Sequence, residues 1–446
     1  MKESKLYIYN NIDNTDYFIG VLGLYPDVRN PYYTFKYSDE WLNNKYAYAL
    51  HNILPLRKKI YNYPLNRNFN VIRYGYVNEI DYYYEFLLLY AIKNNLMDKS
   101  LINIENLYNW FKISTPYKAK FLDFYSNVIP IYNNILIQND FTRCGSIRFK
   151  DDKDGPFCKI MNPDLIPNIN EIEKIIDIIN KIKNNEETPE ELEQFAACAS
   201  SLSGYQPKFN IFDTEGNLFI AKLSSIFDNN FNEIKRELLA LLLAKKFNIN
   251  VQEYSIKKTK NGSKYLLLKR FDRENNKRIP FMYLSNSIKN IDYNDNNIIS
   301  DIIKSICKNN IRNNLKEFFK RKLFRIIISN TREHLTNTAF LFDIETGWNL
   351  SPEFDATCGI YDFDTPIEKI KELYTTRRLQ FRTDMLQHTI NNYEMYELTR
   401  NEVLEIIDNL KFALTDWQQE ALNAGFNENE LYRIKIYDEA LNKLII

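Results

Sequence analysis

Apolar and polar positions alternate with a period of two over residues 6–9, 18–22 and 32–37, and each run is bounded by Asn, Asp or Pro. That spacing predicts strands, so the chain opens on a small β-rich unit. Residues 82–92 combine apolar and aromatic side chains at helical spacing and begin with Tyr82-Tyr83-Tyr84. No basic residue lies among these tyrosines to hold a phosphate backbone, so packing is the expected role and base stacking is not.

Helical patterns follow at 170–182 and 188–199. The second has a defined start, with Thr188 as N-cap, Pro189 at the first helical position and Glu191 three residues after the cap. Residues 208–212 and 218–222, joined by Thr214-Glu215-Gly216-Asn217, read as a β-hairpin. A helix is expected over 231–247, then strands at 251–256 and 265–270 around an Asn261-Gly262 turn. From residue 298 onward helical patterns dominate, and Thr399 with Glu402 and Asn427 with Glu430 form capping boxes.

Length changes this picture by allowing about three units at roughly 150 residues each, and the 446 residues carry 45% hydrophobic side chains, enough for a large core. Lysine plus arginine (58) equals aspartate plus glutamate (58), so any site for phosphate or anionic lipid must be local. The eleven glycines include no pair separated by one residue and none that begins G-x-x-x-x-G-K-[ST]. Dinucleotide fingerprints, the Walker A loop, the glycine-rich loop of eukaryotic-type kinases and the G-x-S-x-G elbow are thereby excluded. Three histidines and five scattered cysteines give no zinc pattern, and the odd, dispersed thiols suggest a reducing compartment. No apolar leader or bilayer-length run is present, so a cytoplasmic protein without a membrane partner is expected.

A β-lobe followed by an α-lobe, with a ligand cleft between them, is the order these elements suggest. Four stretches carry chemistry within it. Ser200 to Lys208 is a hydroxyl-rich turn leading into a strand, whose main-chain N–H groups suit phosphate without a glycine repeat. Lys222 ends the next strand and Glu237 lies in the following helix, the arrangement that aims an ammonium at nucleotide phosphates. Asn330 to Asn337 follows a helix containing Lys320, Arg321, Lys322 and Arg325, and Leu350 to Asp355 follows a strand. An amide oxygen and a carboxylate from two such loops suit Mg²⁺.

Ser-Leu-Ser-Gly-Tyr-Gln-Pro-Lys (201–208), Phe-Ile-Ala-Lys (219–222), Lys-Arg-Phe-Asp-Arg (269–273), Asn-Thr-x-x-His-Leu-x-Asn (330–337) and Leu-Ser-Pro-x-Phe-Asp (350–355) resemble, in order and spacing, the HipA family of bacterial toxin kinases. The likeness extends to Arg143-Cys144-Gly145-Ser146-Ile147-Arg148-Phe149 and to Trp417-Gln418-Gln419-Glu420-Ala421, covering residues 140–446; residues 57–130 match poorly. The resemblance implies an α+β, two-lobed protein-kinase-like fold with a β-rich N-lobe and an all-α C-lobe, preceded by a small β-rich N-terminal subdomain. The corresponding divisions are 1–140, 141–297 and 298–446.

It also implies a serine/threonine protein kinase using ATP and Mg²⁺. Ser201 falls on the autophosphorylated serine of the phosphate loop, where Ser203, Gly204, Gln206 and Lys208 would also meet nucleotide. Lys222 would contact ATP phosphates, Glu237 would orient it, and Lys269 to Phe271 would meet adenine. Asn337 and Asp355 would hold Mg²⁺, and His334 would fix its loop by hydrogen bonding. One position departs: where the family has the aspartate that accepts the substrate hydroxyl proton, this chain has Arg332, with Glu333 beside it. A guanidinium cannot accept that proton, and a positioned base contributes about 10² to 10⁴ in rate. Arg332 would either grip the γ-phosphate and hold the nucleotide unreactive, or point to solvent in a decayed copy. The alternative to a working kinase is therefore a nucleotide-binding pseudokinase acting as a regulatory or antitoxin-complex module. Implied partners are a protein with a Ser/Thr hydroxyl, a helix-turn-helix antitoxin and, through it, DNA. Arg377, Arg378 and Arg382 form a basic cluster for such a partner or, more simply, a solvated helix end.

Overall fold

Alternation at the start of the chain becomes a five-stranded antiparallel sheet in the computed structural model, which describes residues 4–25, 32–51, 53–64, 140–158, 165–184, 186–199, 208–223, 233–260, 262, 264–275, 277–287, 296–330, 335–361, 365, 370 and 378–445. The sheet is built from β1 (Ser4–Ile12), β2 (Thr15–Tyr25), β3 (Tyr32–Tyr37), β4 (Ile60–Pro64) and β5 (Ile147–Lys150), in the order β4-β3-β2-β1-β5. Asp13 and Asn14 both have positive φ (48° and 62°), which gives the two-residue turn whose twist matches a hairpin. One face carries Leu6, Ile8, Ile19, Leu22, Phe35, Ile147 and Phe149, and it closes over Trp41 of the one-turn helix α1 (Asp39–Leu42). Tyr37 accepts from the Leu50 amide and donates to the Leu54 carbonyl, fastening the segment that follows α1 to this core.

The second sheet runs β6-β7-β9-β8 from β6 (Lys208–Phe212), β7 (Leu218–Leu223), β8 (Tyr254–Lys258) and β9 (Lys264–Lys269). Period two again divides its faces. Phe209, Ile211, Ala221, Leu223, Tyr265 and Leu267 pack against Ile172, Ile175, Ile179 and Cys198 of α2 (Ile172–Asn184) and α3 (Pro189–Ala199). The expected Thr188 cap is present, with the Glu191 amide donating to its hydroxyl. In the β6–β7 turn the Asp213 carboxylate accepts from the Glu215 and Asn217 amides, and Gly216 takes φ 84°. These sheets belong to one compact unit, residues 1–227 with 254–287.

Within that unit a buried ionic cluster ties the segment entering β5 to the segment leaving β9. Arg270 pairs with Asp272 at 2.6 Å and donates to the Thr142 carbonyl; Asp272 also accepts from the Gly145 amide and from Arg273. Arg273 reaches the Arg143 carbonyl, while Arg278 and Arg148 both pair with Asp140. Burial would raise the Asp272 carboxyl, but Arg270 and Arg273 outweigh it and hold it far below the carboxylate range. The short strands β10 (Arg273–Glu274) and β11 (Lys277–Arg278) form the hairpin that presents these arginines, and β12 (Phe281–Tyr283) follows.

The second unit, residues 228–253 with 288–446, is mainly helical: α4 (Glu233–Lys246), α5 (Asn296–Ile306), α6 (Ile311–Ile327), α7 (Leu379–Asn391), α8 (Arg400–Leu414) and α9 (Trp417–Asn423). It also contains the hairpin β13 (Ala339–Asp343) and β14 (Gly347–Leu350). Thr399 and Glu402 cap α8 reciprocally as expected. The strand expected at 251–256 begins only at Tyr254, because Val251 bridges to Glu353 and the Gln252 amide donates to the Glu353 carbonyl. All five cysteines are free, and burial pushes the Cys307 and Cys358 thiols up to about 12. Among the described residues no helix is long and apolar enough to cross a membrane. The tyrosine-rich pattern at 82–92 lies outside the described residues.

Replacing Asp272 by asparagine should destabilise the first unit by about 3–5 kcal/mol at neutral pH, the cost of leaving buried arginines without their carboxylate. Because the folded-state pKa of Asp272 is depressed, its contribution is present above the unfolded value of about 3.9 and fades as pH falls through the folded one. Urea titrations of both proteins should therefore show a gap that is full at pH 7 and narrows steadily below about pH 4.

Candidate functional site

Two lysines stand opposite each other on the face of the second sheet that points away from α2 and α3. Lys208 in β6 and Lys222 in β7 are register partners, and both are buried, with Lys222 only 3% exposed. Directly opposed residues of an antiparallel pair share a face, so alternation with Phe209, Ala221 and Leu223 puts both lysines on the side away from α2 and α3. Two ammoniums on one sheet face make a local positive patch suited to an anion. Lys269 ends β9 opposite Phe219, and the Phe271 ring lies 6.1 Å from that of Phe281. Between Lys269 and Phe271, Arg270 turns inward to the Asp272 cluster and the Asn210 side chain.

The second unit supplies the other candidate groups. Glu237 is buried in α4, where the neighbouring Arg236 donates to the Cys358 carbonyl at 2.6 Å. Leu315, Phe318, Phe319 and Leu323 recur at helical spacing and bury α6, and the same helix carries Arg321 and Arg325 inward, 1% and 3% exposed. Arg325 grips Glu353 with two parallel bonds of 2.7 and 2.6 Å, and Glu353 is itself 1% exposed. Arg325 also donates to the Asn337 carbonyl and the Thr338 hydroxyl, both at 3.3 Å. One turn earlier, Arg321 donates to the Ser351 carbonyl at 2.8 Å and pairs with Glu317. The Glu353 main chain is bonded on both sides, its amide to the Asn250 carbonyl and its carbonyl from the Gln252 amide.

This bracing brings the loops carrying Asn337 and Asp355 to one buried ion pair. Asp355 follows Glu353 by two residues and takes φ 55°, a left-handed conformation that aspartate tolerates better than most residues. Asp355 is half-buried, and Asn337 is buried. An amide oxygen and a carboxylate on fixed loops fit Mg²⁺, which needs few protein oxygens beside phosphate and water. The buried lysine pair likewise fits phosphate. Ser201, Ser203, Gly204 and Gln206 of the phosphate loop, and Arg332, Glu333 and His334, lie outside the described residues.

Sequence reading gave no role to Arg325, Glu353 or Asp272, although each lies in a helix or motif that it singled out. Arg321 and Arg325 did leave a signal: two arginines four apart on the apolar stripe of a helix are placed to be buried. Glu353 left none, since its partner is 28 residues away.

Residues 200–417 match the family model described as HipA-like C-terminal domain. Among solved structures, a Shewanella oneidensis HipA, determined with HipB and its operator DNA, is 16% identical over 98% of this chain and 95% of that one, with a TM-score of 0.50. A Helicobacter pylori proinflammatory kinase, CtkA, is 15% identical over 53% of this chain and 93% of its own, with a TM-score of 0.33. No curated protein sequence matches. Sheets in the N-terminal part and helices in the C-terminal part define a mixed α/β, kinase-like fold. Within that class, residues 200–417 are similar to the HipA-like C-terminal domain.

Substituting Glu353 by glutamine should lower unfolding stability by about 3–5 kcal/mol, since Arg325 would keep its charge without a counter-ion. Arg325→Lys should cost less but lose the forked grip. Hydrogen exchange read residue by residue should speed up most at Thr338 and at 351–355.

Proposed function

We propose that this chain is a HipA-like serine/threonine protein kinase that binds MgATP and transfers phosphate to a protein hydroxyl, with Ser201 as its own acceptor, and that it acts in the cytoplasm as the toxin of a toxin–antitoxin pair. The observation that carries the reading is the attachment of the Asn337 and Asp355 loops to one buried Arg325–Glu353 pair. Such bracing serves oxygen ligands that must not move when charge develops on a transferring phosphoryl group.

In this reading Lys222, with Lys208 beside it, neutralises phosphate charge, and Glu237 orients Lys222. Lys269 to Phe271 meet adenine. Asn337 and Asp355 hold Mg²⁺, which when bound neutralises charge on the phosphate oxygens. Ser203, Gly204 and Gln206 close the phosphate loop, and His334 fixes the loop that carries Asn337. The 1–140, 141–297 and 298–446 divisions serve, in turn, partner contact, nucleotide binding and catalysis. The S. oneidensis HipA was solved with HipB and DNA, and we take a helix-turn-helix antitoxin, and through it DNA, as partners here.

Arg332 favours a second reading, a pseudokinase that binds nucleotide and regulates a complex. Arginine cannot take the hydroxyl proton, whereas the loose transition state of phosphoryl transfer leaves slow turnover possible by positioning alone.

Intact-mass analysis after incubation with MgATP, on the unaltered chain, Asp355→Ala and Arg332→Asp, separates the two. A single phosphate on Ser201, lost in Asp355→Ala, is the outcome expected of a kinase. Phosphate confined to Arg332→Asp identifies the pseudokinase, and absence of both phosphate and MgATP-induced thermal stabilisation would defeat both readings.

A further inference from the structure

Asp355 is approached by anchored chain from both sides, all of it within the second unit. Glu353, two residues before it, has both main-chain groups bonded. Thr357-Cys358-Gly359, just after it, lies outside helix and strand and is fastened as firmly. The Cys358 amide donates to the Arg236 carbonyl at 3.3 Å, and Arg236 Nε donates to the Cys358 carbonyl at 2.6 Å. The Gly359 amide donates to the Ile328 carbonyl, and the Gly359 carbonyl accepts from the Lys435 amide, both at 2.8 Å. Gly359 fits tightly here, since an added Cβ would lie 2.7 Å from the Ser329 carbonyl oxygen. Position 355 needs such anchoring, because a left-handed φ at a residue with a side chain persists only where the surrounding chain fixes it.

Among the donors named, Arg236 alone acts through a side chain. It is 5% exposed, and a buried guanidinium is costly unless its donors are used. NH1 goes to Glu233, a turn earlier in α4, at 2.8 Å, and Nε goes to Cys358. The charged donor makes the bond to Cys358 shorter and stronger than a neutral one would. With the returning bond from the Cys358 amide it fixes the direction of the chain as well as its distance. Glu237, also buried, is the next residue of α4. One turn of helix therefore carries Glu237 and holds the far end of the Asp355 loop.

We propose that Arg236 is a positioning residue for the Asp355 carboxylate, acting through the Cys358 carbonyl, and that it sets the Mg²⁺ requirement of nucleotide binding. The inference rests on the proposed reading of Asp355 as a Mg²⁺ ligand. The Arg325–Glu353 pair decides where the Asp355 loop begins and Arg236 decides where it ends, so the aim of the carboxylate depends on both. A partner that orients a metal ligand changes metal affinity without touching the metal.

The test compares the unaltered full chain with Arg236→Gln, with Arg236→Lys and with Lys246→Ala, which breaks the 2.7 Å pair to Glu420 at the other end of α4. Hydrogen exchange without nucleotide or metal should quicken at 355–359 in Arg236→Gln and stay unchanged at Thr338, which Arg325 holds. Calorimetry with a non-hydrolysable ATP analogue, titrated over Mg²⁺ and repeated with a chelator, supplies the second readout. The Mg²⁺ concentration for half effect should rise about tenfold in Arg236→Gln, while affinity for the metal-free analogue stays within about twofold. Arg236→Lys keeps a charged donor and should shift the Mg²⁺ requirement only about threefold; Lys246→Ala should shift neither quantity. A general loosening of the fold would instead lower both affinities together, and that outcome overturns the proposal. Binding by the unaltered chain that ignores Mg²⁺ defeats the reading of Asp355 and the inference with it. Mg²⁺ dependence or 355–359 exchange that is the same in Arg236→Gln as in the unaltered chain defeats the inference alone. Should Arg236→Gln not fold, the same comparisons with Arg236→Lys decide.

Discussion

The buried Arg325–Glu353 pair is the constraint on which the second unit's candidate site depends. A fully buried ion pair gains little over apolar packing, and breaking one is costly; its use here is directional. Six bonds to Arg325 and the Glu353 main chain decide where two loops from different parts of the chain begin. The same contacts shorten β8, since residues 250–252 are committed to Glu353 before the strand starts. The local β pattern at 251–253 yields to this because one buried carboxylate imposes a larger penalty than three strand positions return.

The first unit solves a parallel problem in the same way. The Asp272 cluster sits where β9 ends, so the chain that leaves the sheet has one exit. In both units a carboxylate between arginines fixes a loop, and both carboxylates are flanked by motif residues that sequence comparison picks out: Phe271 beside Asp272, and Phe354-Asp355 after Glu353. A short motif of this kind mixes residues that face a ligand with residues that hold the loop.

Much of the architecture was legible because it is local. Thr188 with Glu191, Thr399 with Glu402, the 214–217 turn and the 208–222 hairpin are settled by neighbours within a few positions, and they stand where the pattern put them. The order of the short motifs pointed to a HipA-like, kinase-like chain, because motif order along a chain survives when identity has fallen to 16%. Long-range pairing was not legible: Asp272 with Gly145 spans 127 positions and Arg325 with Glu353 spans 28, and neither distance leaves a periodic trace. Arg378 and Arg382 read as a solvated helix end, and only Tyr361 and Tyr437, contributed by distant segments, reveal what they rest on.

Lys208 and Lys222 carry a consequence for the sheet that contains them. Two buried ammoniums side by side on one sheet face would tie the hairpin's stability to any anion bound against them. Stability of β6 and β7 then rises with anion concentration as RT ln(1 + [L]/Kd). The hairpin is in this sense a reporter of supply: its opening rate would track how much of the anion the surroundings provide, with no moving part other than two side chains and the strands that hold them.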